Sequence, residues 1–115
     1  MRAAAVTLFA LIAATGGLEA QSAGQKVFQG KGLCHACHGK DARGTPLAPN
    51  LTDNEWINVD GSLPAIVALI RTGVPKPVRH PAPMPPMGGA KLSKGEIDAV
   101  AAYVKSLSSD RSTIR

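Results

Sequence analysis

Apolar positions recur along the chain at the spacing of α-helices, and no run alternates between apolar and polar residues as a strand does. The clearest helical pattern lies near the C-terminus, where Ser93 and Glu96 form a capping box that predicts the first residue of a helix. One face of this helix carries five apolar residues: Ile97, Val100, Ala101, Val104 and Leu107. The tail from Ser108 to Arg115 has no apolar face, so we expect it to fray.

Two more helices are predicted upstream. The middle helix has Ser62 as its N-cap and Pro64 in its first turn, and it ends at Gly73. Its apolar face contains Ile66, Val67, Leu69 and Ile70. Ser22 and Gln25 form a second capping box, which predicts a short first helix ahead of the cysteines. Together the patterns predict an all-α fold of three to four helices in one domain.

The first 20 residues follow a different pattern. Arg2 is followed by an uncharged apolar run from Ala3 to Leu18, which is shorter than the roughly 20 strongly apolar residues of a membrane span. This pattern predicts a secretory signal peptide, residues 1–20, cleaved after Ala20. The alternative, a buried N-terminal helix, is disfavoured by the glycines at positions 16 and 17. Cleavage would leave residues 21–115 as a periplasmic domain without a stable membrane anchor.

Residues 21–115 contain few aromatic side chains. Phe28, Trp56 and Tyr103 are the only three, and the core of so small a domain is thin in any case. A disulfide between Cys34 and Cys37 would contribute little, because short loops gain least from closure. A large buried cofactor would supply the missing apolar bulk, and we expect the helices to surround one.

The stretch CHACH, residues 34–38, holds both cysteines and two of the three histidines of the chain. A redox dithiol would need βαβ strands that the pattern lacks. Tetrahedral zinc needs four ligands, and only one distant histidine could complete the set. The spacing C-x-x-C-H uses Cys34, Cys37 and His38 together: the thiols attach the haem vinyl groups and the histidine binds the iron. We therefore predict covalently attached haem c, with a secreted zinc-binding module or a disulfide as the alternatives. His35 is expected to be a solvent-facing spacer.

The iron would need a second axial ligand, and three residues beyond the motif could supply it: His80, Met84 and Met87. All three lie in the segment Val74–Gly89, which contains six of the nine prolines. Such a segment can be a disordered polyproline linker, but its place between two helices favours a stiff ligand loop. Pro85 forces the residue before it into an extended conformation, whereas Met87 precedes two mobile glycines. These features predict Met84 as the ligand.

Nearly all of residues 21–115 resembles the class I monohaem c-type cytochromes. Gly24 and Phe28 before CHACHG, with VAAYV near the C-terminus, resemble the crossing first and last helices of that family. MPPMGGAKLS resembles its methionine loop, in which the ligand precedes a proline, in agreement with Met84. APNL resembles the segment whose proline carbonyl binds the haem histidine, which points to Pro49. The chain looks most like small bacterial haem-c domains, free-standing or fused to oxidases and dehydrogenases.

The resemblance implies an electron-transfer protein and not an enzyme. His38 and Met84 would saturate the iron, so the haem would carry one electron between redox partners outside the cytoplasm. The alternatives are a haem-c subunit of a larger oxidoreductase complex and a haem-based sensor. Trp56 is a further candidate contact of the cofactor, because an indole N–H in a small core needs an acceptor such as a haem propionate.

Charge bears on the choice of partners. The net charge is +5, and removal of residues 1–20 leaves it unchanged because one cation and one anion are lost. Basic residues flank both the cysteine motif and the methionine loop: Lys26, Lys31, Lys40, Arg43, Arg71, Lys76, Arg79 and Lys91. Around an exposed haem edge they would steer redox partners with acidic surfaces; otherwise they form only a solvated surface. Three aromatic residues are too few to stack on single-stranded nucleic acid, so no nucleic-acid partner is predicted.

Overall fold

The computed structural model describes the backbone of residues 15–114 and the side-chain surroundings of residues 21–108. The described residues form four α-helices and one short 3-10 helix: α1 (Thr15–Gln29), α2 (His35–His38), α3 (Leu63–Thr72), the 3-10 helix Pro86–Gly89 and α4 (Lys94–Ile114). In the described part of the chain, β-structure is limited to two isolated bridges. The predicted all-α fold of three to four helices is confirmed.

Helices α1 and α4 cross at a glycine. A Cβ atom on Gly24 would overlap the carbonyl oxygen of Ala99 and lie 2.6 Å from the Cβ of Tyr103. One turn further along α1, Phe28 is fully buried, and its ring meets that of Tyr103 edge to face with centroids 5.6 Å apart. The small residue therefore lets the two backbones approach, and the aromatic pair fills the space beside the crossing.

The predicted caps of α3 and α4 are confirmed. The Ser62 hydroxyl accepts a hydrogen bond from the Ala65 N–H at 3.3 Å, and Gly73 ends α3 with a φ of 78°. At the start of α4, the Ser93 hydroxyl accepts from the Glu96 N–H at 3.1 Å. In return, the Glu96 carboxylate accepts from the Ser93 N–H at 2.8 Å. These bonds satisfy N–H groups that a helix cannot pair internally.

Two predicted helix ends are wrong. Helix α1 is described from Thr15 onwards and therefore does not begin at Ser22. The residues just before Ser22 are good helix formers, and the glycines at positions 16 and 17, which were expected to disfavour a helix, lie within it. Helix α4 continues to Ile114 instead of fraying from Ser108. The stretch from Ser108 to Ile114 contains neither glycine nor proline, so nothing in it interrupts the backbone hydrogen bonds of the last turns.

The core lies where α1, α3 and α4 meet. It is one cluster of buried apolar residues: Val27, Phe28, Ala42, Ile66, Ile70, Leu92, Ile97, Val100, Ala101 and Val104. Several half-buried residues pack on this cluster, among them Trp56 and Met84. These two residues mark the side of the core that faces the cleft described below.

The predicted signal peptide lies mostly outside the described residues, so cleavage after Ala20 stays a prediction. Within residues 15–114, none of the helices combines the length and the apolar character that crossing a membrane requires.

Candidate functional site

An apolar cleft opens beside the core. Its walls come from the cysteine motif, the segment 47–51, the segment 55–59, α3, the loop 74–84 and two valines of α4. Ligand sites in proteins are mostly apolar with a few polar groups, and this cleft has the same character. Its lining therefore suits an apolar macrocycle such as haem.

One helical turn arranges the cysteine motif at the cleft. The His38 N–H donates to the Cys34 carbonyl at 3.0 Å, and Gly39, with a φ of 90°, ends the turn. Residues four apart lie on the same face of a helix, so Cys34 and His38 both line the cleft. Cys37 is exposed and Cys34 half-buried, and both are free thiols. Burial raises the pKa of the Cys34 thiol.

His38 is held in one tautomer. Its Nδ1 lies 2.9 Å from the carbonyl oxygen of Pro49, and a carbonyl can only accept a hydrogen bond, so Nδ1 carries the proton. Burial lowers the pKa of His38, partly opposed by this hydrogen bond, and His80 lowers it further through its charge. The ring is thus kept neutral with a free lone pair on Nε2, the form that binds iron.

The segment that presents Pro49 folds back at Gly44. The Gly44 N–H donates to the His38 carbonyl at 2.7 Å, and its φ is 92°. A Cβ at this position would lie 2.7 Å from the backbone nitrogen of Asn50, so a larger residue would displace the proline carbonyl from His38. Sequence reasoning missed the role of Gly44. A glycine six residues after the motif histidine is its only sequence signal.

Met84 lines the cleft, and its backbone is fixed. Val74 and Met84 exchange two hydrogen bonds, from the Val74 N–H at 2.8 Å and from the Met84 N–H at 3.0 Å. Gly73, with a φ of 78°, packs so closely that a Cβ there would lie 2.5 Å from the Met84 carbonyl oxygen. The methionine is therefore presented from a short bridged segment and not from a free loop.

The other two ligand candidates have different surroundings. Met87 does not line the cleft, and its Sδ accepts a hydrogen bond from the Leu92 N–H at 3.4 Å. His80 does line the cleft. The structure therefore brings His38, Met84 and His80 to the same cleft and leaves Met87 outside it. The assignment of Met84 as the ligand stays a prediction.

Trp56 also lines the cleft. Its indole lies against Gly61, where a Cβ would come within 2.5 Å of Nε1, and the φ of Gly61 is 83°. The turn before α3 thus fixes the indole plane. Contact between Trp56 and a haem propionate stays a prediction.

His35 differs from its expected solvent-facing position. It is half-buried, and its Nδ1 lies 3.2 Å from the Phe28 carbonyl oxygen. Since that carbonyl accepts a hydrogen bond from the ring, His35 connects the motif to the end of α1. The His35 side chain turns towards the first helix, so His38 lines the cleft and His35 does not.

Two of the flanking basic residues are paired with acids. Lys31 contacts Glu96 at 3.0 Å, and Arg79 contacts Glu55 at 3.0 Å. In the part of the chain that the structure describes, no three His, Cys, Asp or Glu side chains cluster closely enough to hold a metal ion. The zinc alternative therefore has no ligand set among these residues.

Comparison with known proteins relates the chain to subunits of cbb3-type cytochrome c oxidases. Residues 19–104 match the family model described as cytochrome c oxidase, cbb3-type, subunit III. The chain is 38% identical over 90 residues to the cbb3-type cytochrome c oxidase subunit CcoP of Rubrivivax gelatinosus, covering 78% of this chain and 27% of that protein. It is 41% identical over 94 residues to CcoP of Rhodobacter capsulatus, covering 75% and 29%.

A third relative is the cbb3-type oxidase subunit FixP of Rhizobium etli, 37% identical over 84 residues, which cover 70% of this chain and 29% of FixP. The chain thus spans under a third of the length of these curated relatives. No solved structure matches it significantly. The matches confirm the predicted resemblance to c-type cytochromes and covalently attached haem c as the cofactor.

Proposed function

Because the chain belongs to the family of cbb3-type cytochrome c oxidase subunit III, we propose that it is an electron-transfer haem-c domain that works as a component of a larger oxidase complex. It is the electron-carrying part and does not itself convert a substrate. We therefore favour the predicted alternative, a haem-c subunit of a larger complex, over the main prediction of a freely diffusing carrier.

The hydrogen bond from His38 Nδ1 to the Pro49 carbonyl carries the assignment of the site. It leaves the Nε2 lone pair of His38 free to bind iron, and Met84 lines the same cleft. Cys34 and Cys37 would attach the cofactor, and the neutral imidazole and the thioether would hold its iron. When bound, the haem supplies one-electron redox chemistry at a raised potential. The chain contributes burial, a fixed ligand geometry and exclusion of water.

The relatives support a complex over a free carrier. All three are named as subunits of cbb3-type oxidases, so we propose that the domain delivers electrons to an oxidase of this type. We further propose export to the periplasm, on the basis of residues 1–20.

The surface around the motif supports docking. Leu33, next to Cys34, leaves 51% of its surface exposed. Lys40, which follows the motif, and Lys91, which follows the methionine loop, are exposed as well. An exposed apolar residue combined with exposed cations suits a partner with an acidic rim. Lys31 is a poorer probe of docking than Lys91, because its charge is already paired with Glu96.

An optical spectrum tests the cofactor assignment. The chain expressed with a c-type maturation system should give a reduced c-type haem spectrum, and acid-acetone should not extract the haem. Cys34→Ser or Cys37→Ser should sharply lower the holoprotein yield. A colourless wild-type protein, or haem extracted unaltered, would disprove the proposal.

Electron transfer to a purified cbb3-type oxidase tests the partner. Lys91→Glu should slow the bimolecular reaction at low ionic strength through its association rate, and the difference from wild type should shrink as salt is added. Stopped-flow mixing of the oxidase with the reduced wild type or the reduced variant measures the rate of each reaction. Rates that do not respond to ionic strength would show that the cations form only a solvated surface. If the wild type fails to reduce the oxidase, a cbb3-type oxidase is not its electron acceptor.

A further inference from the structure

His80 is an unexplained polar group at the cleft. Among the described residues, its Nδ1 is the one buried side-chain nitrogen or oxygen that has no hydrogen-bond partner. The same ring lines the cleft together with His38 and Met84. A buried polar atom left unpaired destabilises the folded state, so its position needs a physical reason.

The contrast with His38 shows which proton His80 carries. A histidine that binds iron through Nε2 holds its proton on Nδ1 and donates it to an acceptor, as His38 does to Pro49 at 2.9 Å. On His80 that proton would be a buried N–H without an acceptor, which is rarer and more costly than an unpaired lone pair. The favoured tautomer of His80 therefore has a bare Nδ1 and a proton on Nε2. This form donates a hydrogen bond from Nε2 and has no lone pair on Nε2 with which to bind iron as His38 does.

The loop that carries His80 contacts two other segments of the chain. At one end, a Cβ on Gly88 would lie 3.1 Å from the carbonyl oxygen of Gly32, two residues before Cys34. At the other end, the Val78 N–H donates to Asn58 Oδ1 at 3.1 Å. Arg79 pairs with Glu55 at 3.0 Å. His80 directly follows these two residues in the chain.

The chemistry of haem determines what reaches that end. The vinyl groups, which the cysteines bind, and the two propionates lie on opposite edges of the porphyrin. With the vinyl edge held at Cys34 and Cys37, the carboxylates extend away from the motif. An N–H donor beside the Arg79 cation is suited to a carboxylate acceptor. Glu55 is a weaker candidate for that acceptor because Arg79 already pairs with it.

We propose that His80 is a positioning residue for the cofactor, which donates a hydrogen bond from Nε2 to a haem propionate and does not bind the iron. This inference rests on the proposed haem site. It gives each ligand candidate of the sequence a separate role. Met84 would bind the iron, Met87 packs outside the cleft, and His80 stabilises the propionate through a hydrogen bond.

The test uses ferrous and ferric holoprotein with covalently attached haem. A long-range ¹H–¹⁵N spectrum of ferrous wild type should show His80 protonated on Nε2, with slow exchange of that proton. His80→Phe removes the donor, so the propionate charge favours ferric iron more strongly and the midpoint potential should fall. The propionate bending band in resonance Raman spectra should shift in the same variant. His80→Gln, which keeps an N–H near the same place, should restore both towards wild type.

The far-red band of methionine-ligated ferric haem separates this inference from the proposed site. Wild type, His80→Phe and His80→Gln should all keep the band. A proton on Nδ1, or an unchanged potential and propionate band in His80→Phe, would overturn the role of His80 while leaving the haem site intact. Absence of the band from wild type with loss of low-spin haem in His80→Phe would make His80 the ligand and overturn both.

Discussion

Met84 and Met87 lie three residues apart in one loop, but their sulfur atoms have different surroundings. The backbone of Met84 exchanges two hydrogen bonds with that of Val74, and Met84 lines the cleft. Met87 has a φ of 54°, and its sulfur already accepts a hydrogen bond from Leu92. The positive φ turns the chain after the prolines and directs this side chain towards the start of α4.

We predict that Met84→Leu loses the far-red charge-transfer band of ferric haem and that Met87→Leu keeps it. The leucine at 84 fills a similar volume without a ligand atom, so haem should stay attached through Cys34 and Cys37. Near-infrared absorption of the two ferric variants measures the difference. The reverse result would move the ligand to Met87.

At the scale of secondary-structure elements, the α1–α4 crossing depends on Gly24. Gly24→Ala should destabilise the holoprotein by roughly 1–3 kcal/mol, because the added methyl overlaps the Ala99 carbonyl and forces the helices apart. Gly95→Ala is the matched control. A Cβ there meets only the Ser93 hydroxyl, at 3.9 Å, so the better helix propensity of alanine should raise stability by up to about 1 kcal/mol.

Denaturant titration of both glycine variants measures the change in free energy of unfolding. If Gly24→Ala is as stable as wild type, the two helices are not in the close contact described above.

The start of α4 links the capping box to the pH dependence of stability. The hydrogen bond from the Ser93 N–H, with the Lys31 ammonium second, holds the pKa of Glu96 below its usual value. A carboxyl with a lowered folded pKa contributes stability that is fully present above its unfolded pKa, about 4.3. This contribution is lost as pH falls through the folded pKa.

Glu96→Gln should therefore lose less stability than wild type on acidification below about pH 4.3, although it is less stable at neutral pH. Ser93→Ala serves as the comparison, since it removes the cap and keeps the carboxyl. It should cost about 1 kcal/mol at neutral pH. Urea titrations across the acid range test this, and parallel curves for wild type and Glu96→Gln would contradict it.

At the scale of the whole molecule, the cleft and the core belong to one packing unit. Ile66, Ile70, Val100 and Val104 belong to the core and also line the cleft. Domains of this size are stable by only about 5–15 kcal/mol, and without a ligand these apolar cleft walls stay in contact with water, which removes part of the driving force for folding. A haem bound in the cleft would therefore be a structural part of the core.

We predict that the Cys34→Ser, Cys37→Ser double variant without haem is mostly unfolded. Circular dichroism should show loss of most of the helical signal of the holoprotein, without a cooperative thermal transition. The single His80→Phe variant, which keeps both cysteines, is the control for a change at the cleft that leaves the haem in place. Native helix content in the haem-free double variant would refute the prediction.

The sequence by itself determined the features that depend on neighbouring residues. Cys34, Cys37 and His38 carry their chemistry within five positions, so this short motif is sufficient to predict haem c. Ser62, Ser93 and Glu96 cap helices through bonds that reach only three residues. Helical periodicity predicted the all-α fold, because the apolar face of each helix is a local pattern.

Tertiary structure alone decided what depends on residues far apart in the chain. His35 is half-buried, and its ring donates a hydrogen bond to the Phe28 carbonyl in the first helix. Lys31 pairs with Glu96, which lies 65 positions away in the sequence. Pro49 could be named only through a family resemblance, since its bond to His38 depends on the turn at Gly44. Met84, Met87 and His80 offer similar ligand atoms in one short loop. Only the path of that loop along the cleft separates them, because a contact between distant segments depends on the packing of the whole chain.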